Sequence, residues 1–121
     1  MQTMRLSEAI RLGAMLKPQG GGCESIRSIT HSCALGAALD AVGVEMRYRS
    51  GNGAYERVVE LWPWLDRITA TPRGTVRALT AIYEMNDDGW TREAIADWVA
   101  TIDAQQEQVE IPAPALVAVE G

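Results

Sequence analysis

Proline and glycine residues divide this chain into short segments, and the division limits each segment to a single secondary-structure element. Breaks fall at Pro18, at residues 20–22, and at Gly43, Pro63 and Gly89, because proline and glycine interrupt regular helices and strands. Between the breaks, apolar residues recur at intervals of three and four, which is the spacing of one helix face. The pattern predicts a mainly α fold, a compact domain of four to five helices.

The apolar spacing also locates the predicted helices. We expect them over residues 7–17, 33–42, 55–62, 73–86 and 91–104. None of these segments exceeds the ordinary length of a helix in a globular domain. A chain of 121 residues is long enough to bury an independent hydrophobic core.

Residues at the ends of these segments support the boundaries. Ser7 and Thr91 are suited to cap helix N-termini with their hydroxyl groups. Thr71 followed by Pro72 matches the preference for proline in the first turn of a helix. Gly43 fits the left-handed position just after a helix. We therefore expect helices to open at these three hydroxyl residues and one helix to end at Gly43.

The second predicted helix, residues 33–42, consists mostly of alanine, glycine and leucine. Small side chains let a neighbouring helix approach closely, so we expect this helix to be the central and most buried one. Asp40 is its only acidic residue. Because a buried carboxylate needs a compensating partner, Asp40 is expected to meet a polar group such as an arginine.

One segment favours a strand rather than a helix. Val44, Met46 and Tyr48 alternate with charged residues, and residues 50–53 follow as a turn rich in glycine. Alternation with a period of two is typical of a half-buried strand. The sequence therefore allows a short β-hairpin near 44–58 within the helical domain.

The C-terminal residues differ in character from the rest of the chain. Pro112 and Pro114 disfavour a helix there and favour extended backbone. We therefore expect two parts, a helical domain over residues 1–108 and an extended C-terminal arm over residues 109–121. The arm is apolar, which predicts that it lies against another surface. Its expected partner-binding residues are Ile111, Leu116, Val117 and Val119.

The net charge of −5 is unevenly distributed. Residues 101–121 contain four of the 16 acidic residues and no basic residue, which leaves residues 1–100 with a charge of −1. The eleven basic residues are scattered and form no cluster. Nucleic-acid binding is unlikely on this pattern, because affinity for phosphates depends on a concentrated basic face.

The chain shows no feature of a membrane or secreted protein. Every long apolar run is interrupted by a charge or a glycine, whereas a membrane-spanning helix needs about 18 apolar residues. Charged residues near the N-terminus leave no room for the apolar part of a signal sequence. We expect a cytoplasmic protein, in the host cytoplasm or a virion if it is encoded by a phage.

One group of cysteine and histidine residues offers candidates for a metal site or a nucleophile. Cys23, His31 and Cys33 could hold zinc if a carboxylate such as Glu24 or Asp40 completed the site. Their spacing lacks the paired ligands that are typical of zinc sites, and nothing supplies an orienting carboxylate for a catalytic pair. We therefore expect no metal, no cofactor and no enzymatic activity, with Cys33 packed as a small residue.

The last two predicted helices, 73–86 and 91–104, raise the alternative of a helix-turn-helix. Arg92 is the only base that the second of them offers, beside several acidic residues that would repel phosphate. The acids on these helices instead form a surface that could engage a basic partner. Three exposed residues are expected to contact a partner besides the arm: Trp64, Asp87 and Asp88.

Two stretches resemble known proteins. The sequence Met85–Val99, with its Asn-Asp-Asp-Gly-Trp-Thr-Arg-Glu-Ala-Ile-Ala-Asp-Trp-Val pattern, resembles the C-terminal part of small bacterial and phage proteins that have no known activity. The helix Ser32–Ala38 resembles the middle of the same proteins. The resemblance implies a phage or bacterial origin.

These observations favour a non-catalytic function. We expect a protein–protein interaction or assembly protein that contacts a neighbouring subunit with its C-terminal arm, as a homo-oligomer or part of a larger assembly. One alternative is a phage-type inhibitor that binds a host protein, such as a nucleic-acid-binding defence protein, through the acidic surface. Another is a small metal-binding or DNA-binding regulator.

Overall fold

A computed structural model shows a mainly α domain with one small β-hairpin, which confirms the predicted fold class. The structure describes residues 4–20, 26–50 and 52–110, with side chains described as far as residue 104. Two short 3₁₀ helices, Met46–Tyr48 and Pro63–Asp66, lie between the regular elements. The described helices and strands are α1 (Leu6–Gly13), α2 (Ala34–Ala41), α3 (Gly53–Leu61), β1 (Ile68–Thr71), β2 (Gly74–Arg77), α4 (Ala78–Asp87) and α5 (Arg92–Glu110).

Helix α2 is buried along most of its length, as its small residues predict. Six of its eight residues are inaccessible to solvent. Helix α1 packs directly against it, and a Cβ atom added to Gly13 would overlap the backbone carbonyl of Ala37. Gly13 therefore sets the distance between the two helices, because any larger side chain would push them apart.

The predicted end of α2 at Gly43 is confirmed in detail. Gly43 has a φ of 81°, in the left-handed region that favours glycine. Its backbone N–H donates to the carbonyl of Asp40 over 3.2 Å, and the N–H of Val44 donates to the carbonyl of Leu39 over 3.0 Å. This pair of hydrogen bonds is the Schellman arrangement, which satisfies carbonyls that a helix end would otherwise leave unpaired.

The hairpin lies elsewhere than the alternation predicts. Residues 46–48 form a 3₁₀ helix and residues 53–61 form α3, so a hairpin near 44–58 is wrong. The alternation misleads because Arg49 occupies no solvent-facing strand position. Its side chain is 2% exposed, and hydrogen bonds to surrounding carbonyls and a carboxylate hold this segment in a compact turn instead.

The observed hairpin pairs β1 with β2 in antiparallel register, with Ile68 opposite Arg77 and Thr71 opposite Gly74. The prediction that Thr71 and Pro72 open a helix is therefore wrong, and α4 begins at Ala78. Proline serves the second position of a turn as well as the start of a helix. The Thr71 hydroxyl accepts from the N–H of Arg73 over 2.9 Å and donates to the Gly74 carbonyl over 2.7 Å, which closes the turn.

Of the other two predicted helix starts, the structure confirms one and contradicts the other. Thr91 caps α5 as predicted, since its hydroxyl accepts from the N–H of Ala94 over 3.0 Å. Ser7, in contrast, lies inside α1, and the N-cap position belongs to Arg5. The backbone N–H of Ser7 donates over 2.9 Å to the carboxylate of Asp103. A distant helix therefore supplies the group that satisfies the start of α1.

Helix α5 extends further than the sequence predicts. It continues through Glu110, so an extended arm that starts at residue 109 is wrong, and the arm begins no earlier than Ile111. Residues 111–121, with the predicted contacts Ile111, Leu116, Val117 and Val119, lie outside the described residues. Among the residues that the structure does describe, no helix has the length and hydropathy needed to cross a bilayer.

Candidate interaction groove

An open groove of about 830 Å³ lies between α3 and α4. Its floor is formed by four apolar or aromatic side chains, and its rim is polar and charged. An apolar floor with a polar rim is the usual composition of a surface that binds a protein segment. The floor consists of Tyr55, Val59, Leu79 and Tyr83, and the rim of Arg27, Asn52, Glu56, Glu60, Asp66, Arg77 and Thr80.

The groove exists because α3 and α4 share neighbours and do not pack face to face. Helix α3 packs on α2 and on the 3₁₀ helix Pro63–Asp66, and α4 packs on the same 3₁₀ helix and on the hairpin. Val58 of α3 and Ile82 of α4 are fully buried beneath the groove. The next positions along each helix, Val59 and Tyr83, therefore belong to its floor.

Two tyrosines form the aromatic part of the groove. The rings of Tyr55 and Tyr83 have centroids 6.0 Å apart and are tilted by 40°, a favourable arrangement for an aromatic pair. Tyr83 is nevertheless 44% exposed. A large aromatic surface that remains accessible beside a buried core is typical of an interaction site.

Most charged side chains of the rim have a partner within the domain. Arg77 pairs with Asp66 over 2.7 Å, and Glu60 pairs with Arg57 over 2.6 Å. The guanidinium of Arg27 donates to the backbone carbonyl of Arg49 over 3.0 Å. These contacts hold most of the rim charges in place around the floor, so the apolar side chains are left as the main surface for an incoming segment.

A second groove of about 540 Å³ follows the opposite side of α3. Its aromatic residue, Tyr48, is 44% exposed, but two arginines lie over the ring. The guanidinium carbon of Arg47 is 4.8 Å from the ring centroid and that of Arg57 is 5.5 Å away. These cation–π contacts already engage the ring of Tyr48, whereas the ring of Tyr83 contacts that of another tyrosine. The first groove is therefore the better candidate.

A separate apolar patch lies just after α1. Met15 is 82% exposed and Leu16 59% exposed, although the sequence predicts a helix that continues to residue 17. The α-helix ends at Gly13, and residues 14–16 form tighter turns. This early end turns both side chains away from the core.

Asp40 has the arginine partner that the sequence predicts. Its Oδ1 lies 2.8 Å from Nη2 of Arg49, and its Oδ2 lies 3.1 Å from Nζ of Lys17. Arg49 also donates to the backbone carbonyls of Ile26 and Val44, over 3.1 and 2.7 Å. The buried arginine thus joins two loops to α2, which is a structural role.

The candidate metal and nucleophile residues do not come together in the described structure. Cys33 is buried, and its Sγ accepts from the N–H of Gly36 over 3.4 Å at the start of α2. His31 is exposed, with Nδ1 2.9 Å from the Thr30 hydroxyl. Cys23 lies outside the described residues. Within the described part of the chain, no three histidine, cysteine, aspartate or glutamate side chains are grouped closely enough to hold a metal.

Trp64 is 6% exposed, so the prediction that it forms an exposed contact is wrong. It belongs to the 3₁₀ helix Pro63–Asp66, which folds back against α3 and α4. Trp62 beside it is also buried, and its indole N–H donates to the carbonyl of Met4 over 2.8 Å. The tryptophan cluster therefore joins α3 to the start of α1.

Asp87 and Asp88 are exposed, as the sequence predicts. Asp88 lies 2.6 Å from Arg73, however, and the same arginine is 3.5 Å from Glu84. Asp97 likewise pairs with Arg11 over 2.7 Å. Arginines are therefore interspersed among the acids, and the continuous acidic surface expected from the sequence is broken up.

Arg92 is buried, although a helix-turn-helix would need its side chain exposed to contact DNA. It is 7% exposed, and its Nη1 donates to the Lys17 carbonyl over 2.8 Å and to the Ser32 hydroxyl over 2.9 Å. Helix α5 carries no other basic residue and packs along α1. The exposed surface of α5 therefore carries no basic side chain.

The sequence does not reveal the groove, because Tyr55, Val59 and Tyr83 belong to the apolar stripes of the predicted helices 55–62 and 73–86 and are therefore expected in the core. The signal that could have revealed it is the width of those stripes. Val58 and Ile82 already supply the buried positions, so the tyrosines beside them fall at the edge of the core.

Comparisons of the chain with family models, curated proteins and solved structures give no match.

Proposed function

We propose that the protein is a non-catalytic assembly protein that binds a neighbouring copy of itself, using the arm of residues 111–121. The observation that carries the proposal is the groove between α3 and α4, whose tyrosine and aliphatic floor is open to solvent. Exposed apolar patches that are rimmed by polar residues are typical of interaction sites and binding grooves. The proposal includes a phage or bacterial origin and a place in the cytoplasm or a virion.

The positions of the chemically reactive residues support this proposal. The thiol of Cys33 caps a helix inside the core, and the imidazole of His31 lies on the surface beside Thr30. The most buried ion pair, between Asp40 and Arg49, connects loops to α2. Each of these groups has a structural partner, whereas the apolar floor of the groove is open for binding.

Light scattering coupled to size exclusion tests the proposal. We expect the full chain to elute with a mass that is a multiple of 13.2 kDa and that rises with concentration. A variant that ends at Glu110 keeps the whole of α5 and should have a lower mass at the same concentration. Circular dichroism checks that its helical content is retained. A full chain that stays at 13.2 kDa up to about 1 mM would overturn the proposal.

A further inference from the structure

We infer that the groove between α3 and α4 is the docking site for residues 111–121 of a second copy of this chain. The inference rests on the proposed function and specifies which surface of one copy receives the arm of the other. Three properties carry it: the place where α5 ends, the length of chain beyond that end, and the match between the arm and the floor of the groove.

The contacts of α5 relate its C-terminal half to the part of the domain that contains the groove. Asp103 of α5 contacts the start of α1 through the N–H of Ser7. The same end of α1 contacts Trp62, where α3 ends, through the carbonyl of Met4. Glu60, shortly before Trp62, and the Asp66–Arg77 pair, shortly after it, both line the groove. The C-terminal half of α5 is therefore connected through α1 to the end of α3 that lines the groove.

The arm is long enough to reach a neighbour and fill its groove. From Asp103 to Glu110, α5 continues for seven residues, or about 10 Å at the rise of an α-helix. Eleven residues such as 111–121 would span about 34 Å in an extended polyproline-type conformation. The groove follows α3 from Asn52 to Glu60, which is about 12 Å. About 20 Å of arm thus remains to bridge two copies.

The composition of the arm suits the groove. Pro112 and Pro114 favour an extended backbone, and extended proline-containing segments bind aromatic-lined grooves because little conformational entropy is lost. Leu116, Val117 and Val119 supply apolar side chains for the tyrosine and aliphatic floor.

A second copy is a better source of the arm than the same copy. Docking of the arm in the groove of its own copy would make no contact between copies, whereas the proposed function requires such a contact. Two copies related by a two-fold axis can exchange arms. Each copy then contributes one arm and one groove, and the interface closes as a dimer.

Paired variants of the full chain test the exchange. Tyr83→Glu places a charge on the floor of the groove, and Leu116→Asp places one in the arm. We expect each variant to weaken self-association by about tenfold or more, as loss of a central aromatic contact does. Tyr48→Glu is the matched control, because Tyr48 has the same 44% exposure outside the groove, and it should leave the mass unchanged.

Mixing the two interface variants identifies the partners. Tyr83→Glu retains an intact arm and Leu116→Asp retains an intact groove, so an equimolar mixture should form a heterodimer that neither variant forms as a homodimer. Native mass spectrometry distinguishes the species. Circular dichroism confirms folding, and Thr80→Arg, also in the groove, replaces Tyr83→Glu if the latter unfolds.

Each of the other outcomes would contradict either the proposed function or the inference. A monomeric wild-type chain would contradict the proposed function itself. A wild-type oligomer that Tyr83→Glu and Thr80→Arg leave intact would contradict the inference alone, as would loss of assembly in Tyr48→Glu only. Two monomeric variants that fail to associate when mixed would show that the arm and the groove are not partners.

Discussion

The side of the domain built from α1, α2 and α5 differs from the side built from α3, the hairpin and α4. On the first side, helices approach closely at Gly13, and Asp40, Arg49 and Asp103 are nearly or fully withdrawn from solvent. On the second side, the ion pairs are exposed and a groove separates the helices. The difference indicates that the first side provides the stability of the fold, while the second leaves surface available for a partner.

The test of this comparison with the largest expected effect removes the buried ion pair between Asp40 and Arg49. Asp40→Ala leaves the guanidinium of Arg49 buried without its carboxylate, and such a loss costs about 3–5 kcal/mol of unfolding free energy. Chemical denaturation measures it. Asp97→Ala is the matched control, since Asp97 pairs with Arg11 at 76% side-chain exposure, and it should cost no more than about 1 kcal/mol.

A double variant sharpens the same result. Adding Arg49→Met to Asp40→Ala removes the uncompensated charge, so the double variant should be more stable than Asp40→Ala alone. If Asp40→Ala were no more destabilising than Asp97→Ala, the α2 side would not owe its stability to this pair, and the comparison between the two sides would fail.

The sequence predicts α2 and its surroundings better than it predicts the hairpin. The small residues of α2, the glycine after it and the partner of Asp40 all follow from local rules that the structure does not override. The hairpin does not, because Thr71 and Pro72 satisfy the rules for a helix start and for a turn equally well. Only the pairing of residues 68–71 with 74–77 decides between them.

The groove is harder to predict for a related reason. Apolar spacing shows which face of a helix is buried but not how wide a gap separates two helices. Tyr55 and Tyr83 therefore resemble core residues in the sequence, although Tyr83 is 44% exposed. Trp64 shows the reverse error, because a residue next to a proline looks like part of a loop until the 3₁₀ helix Pro63–Asp66 folds it inward.

A smaller effect is expected at the close approach of α1 to α2. Gly13→Ala adds a Cβ that overlaps the Ala37 carbonyl, so the helices must separate at a cost of about 1–3 kcal/mol. This outcome is opposite in sign to the usual stabilisation when alanine replaces glycine in a helix. Thermal and chemical denaturation measure it, with Leu12→Ala, on an exposed neighbour, as the control. A stabilised Gly13→Ala would show that the two helices are not in close contact.

The smallest effect on stability is expected on the groove side. Arg77→Ala breaks the exposed pair with Asp66, whose side chains are 43% and 61% accessible, and such pairs contribute about 0–1 kcal/mol. Because Arg77 lines the groove, the substitution should change the mass distribution of the full chain in light scattering more than it changes the denaturation midpoint. A large loss of stability with unchanged self-association would reverse the assignment, since the groove side would then hold the fold together and the partner would bind elsewhere.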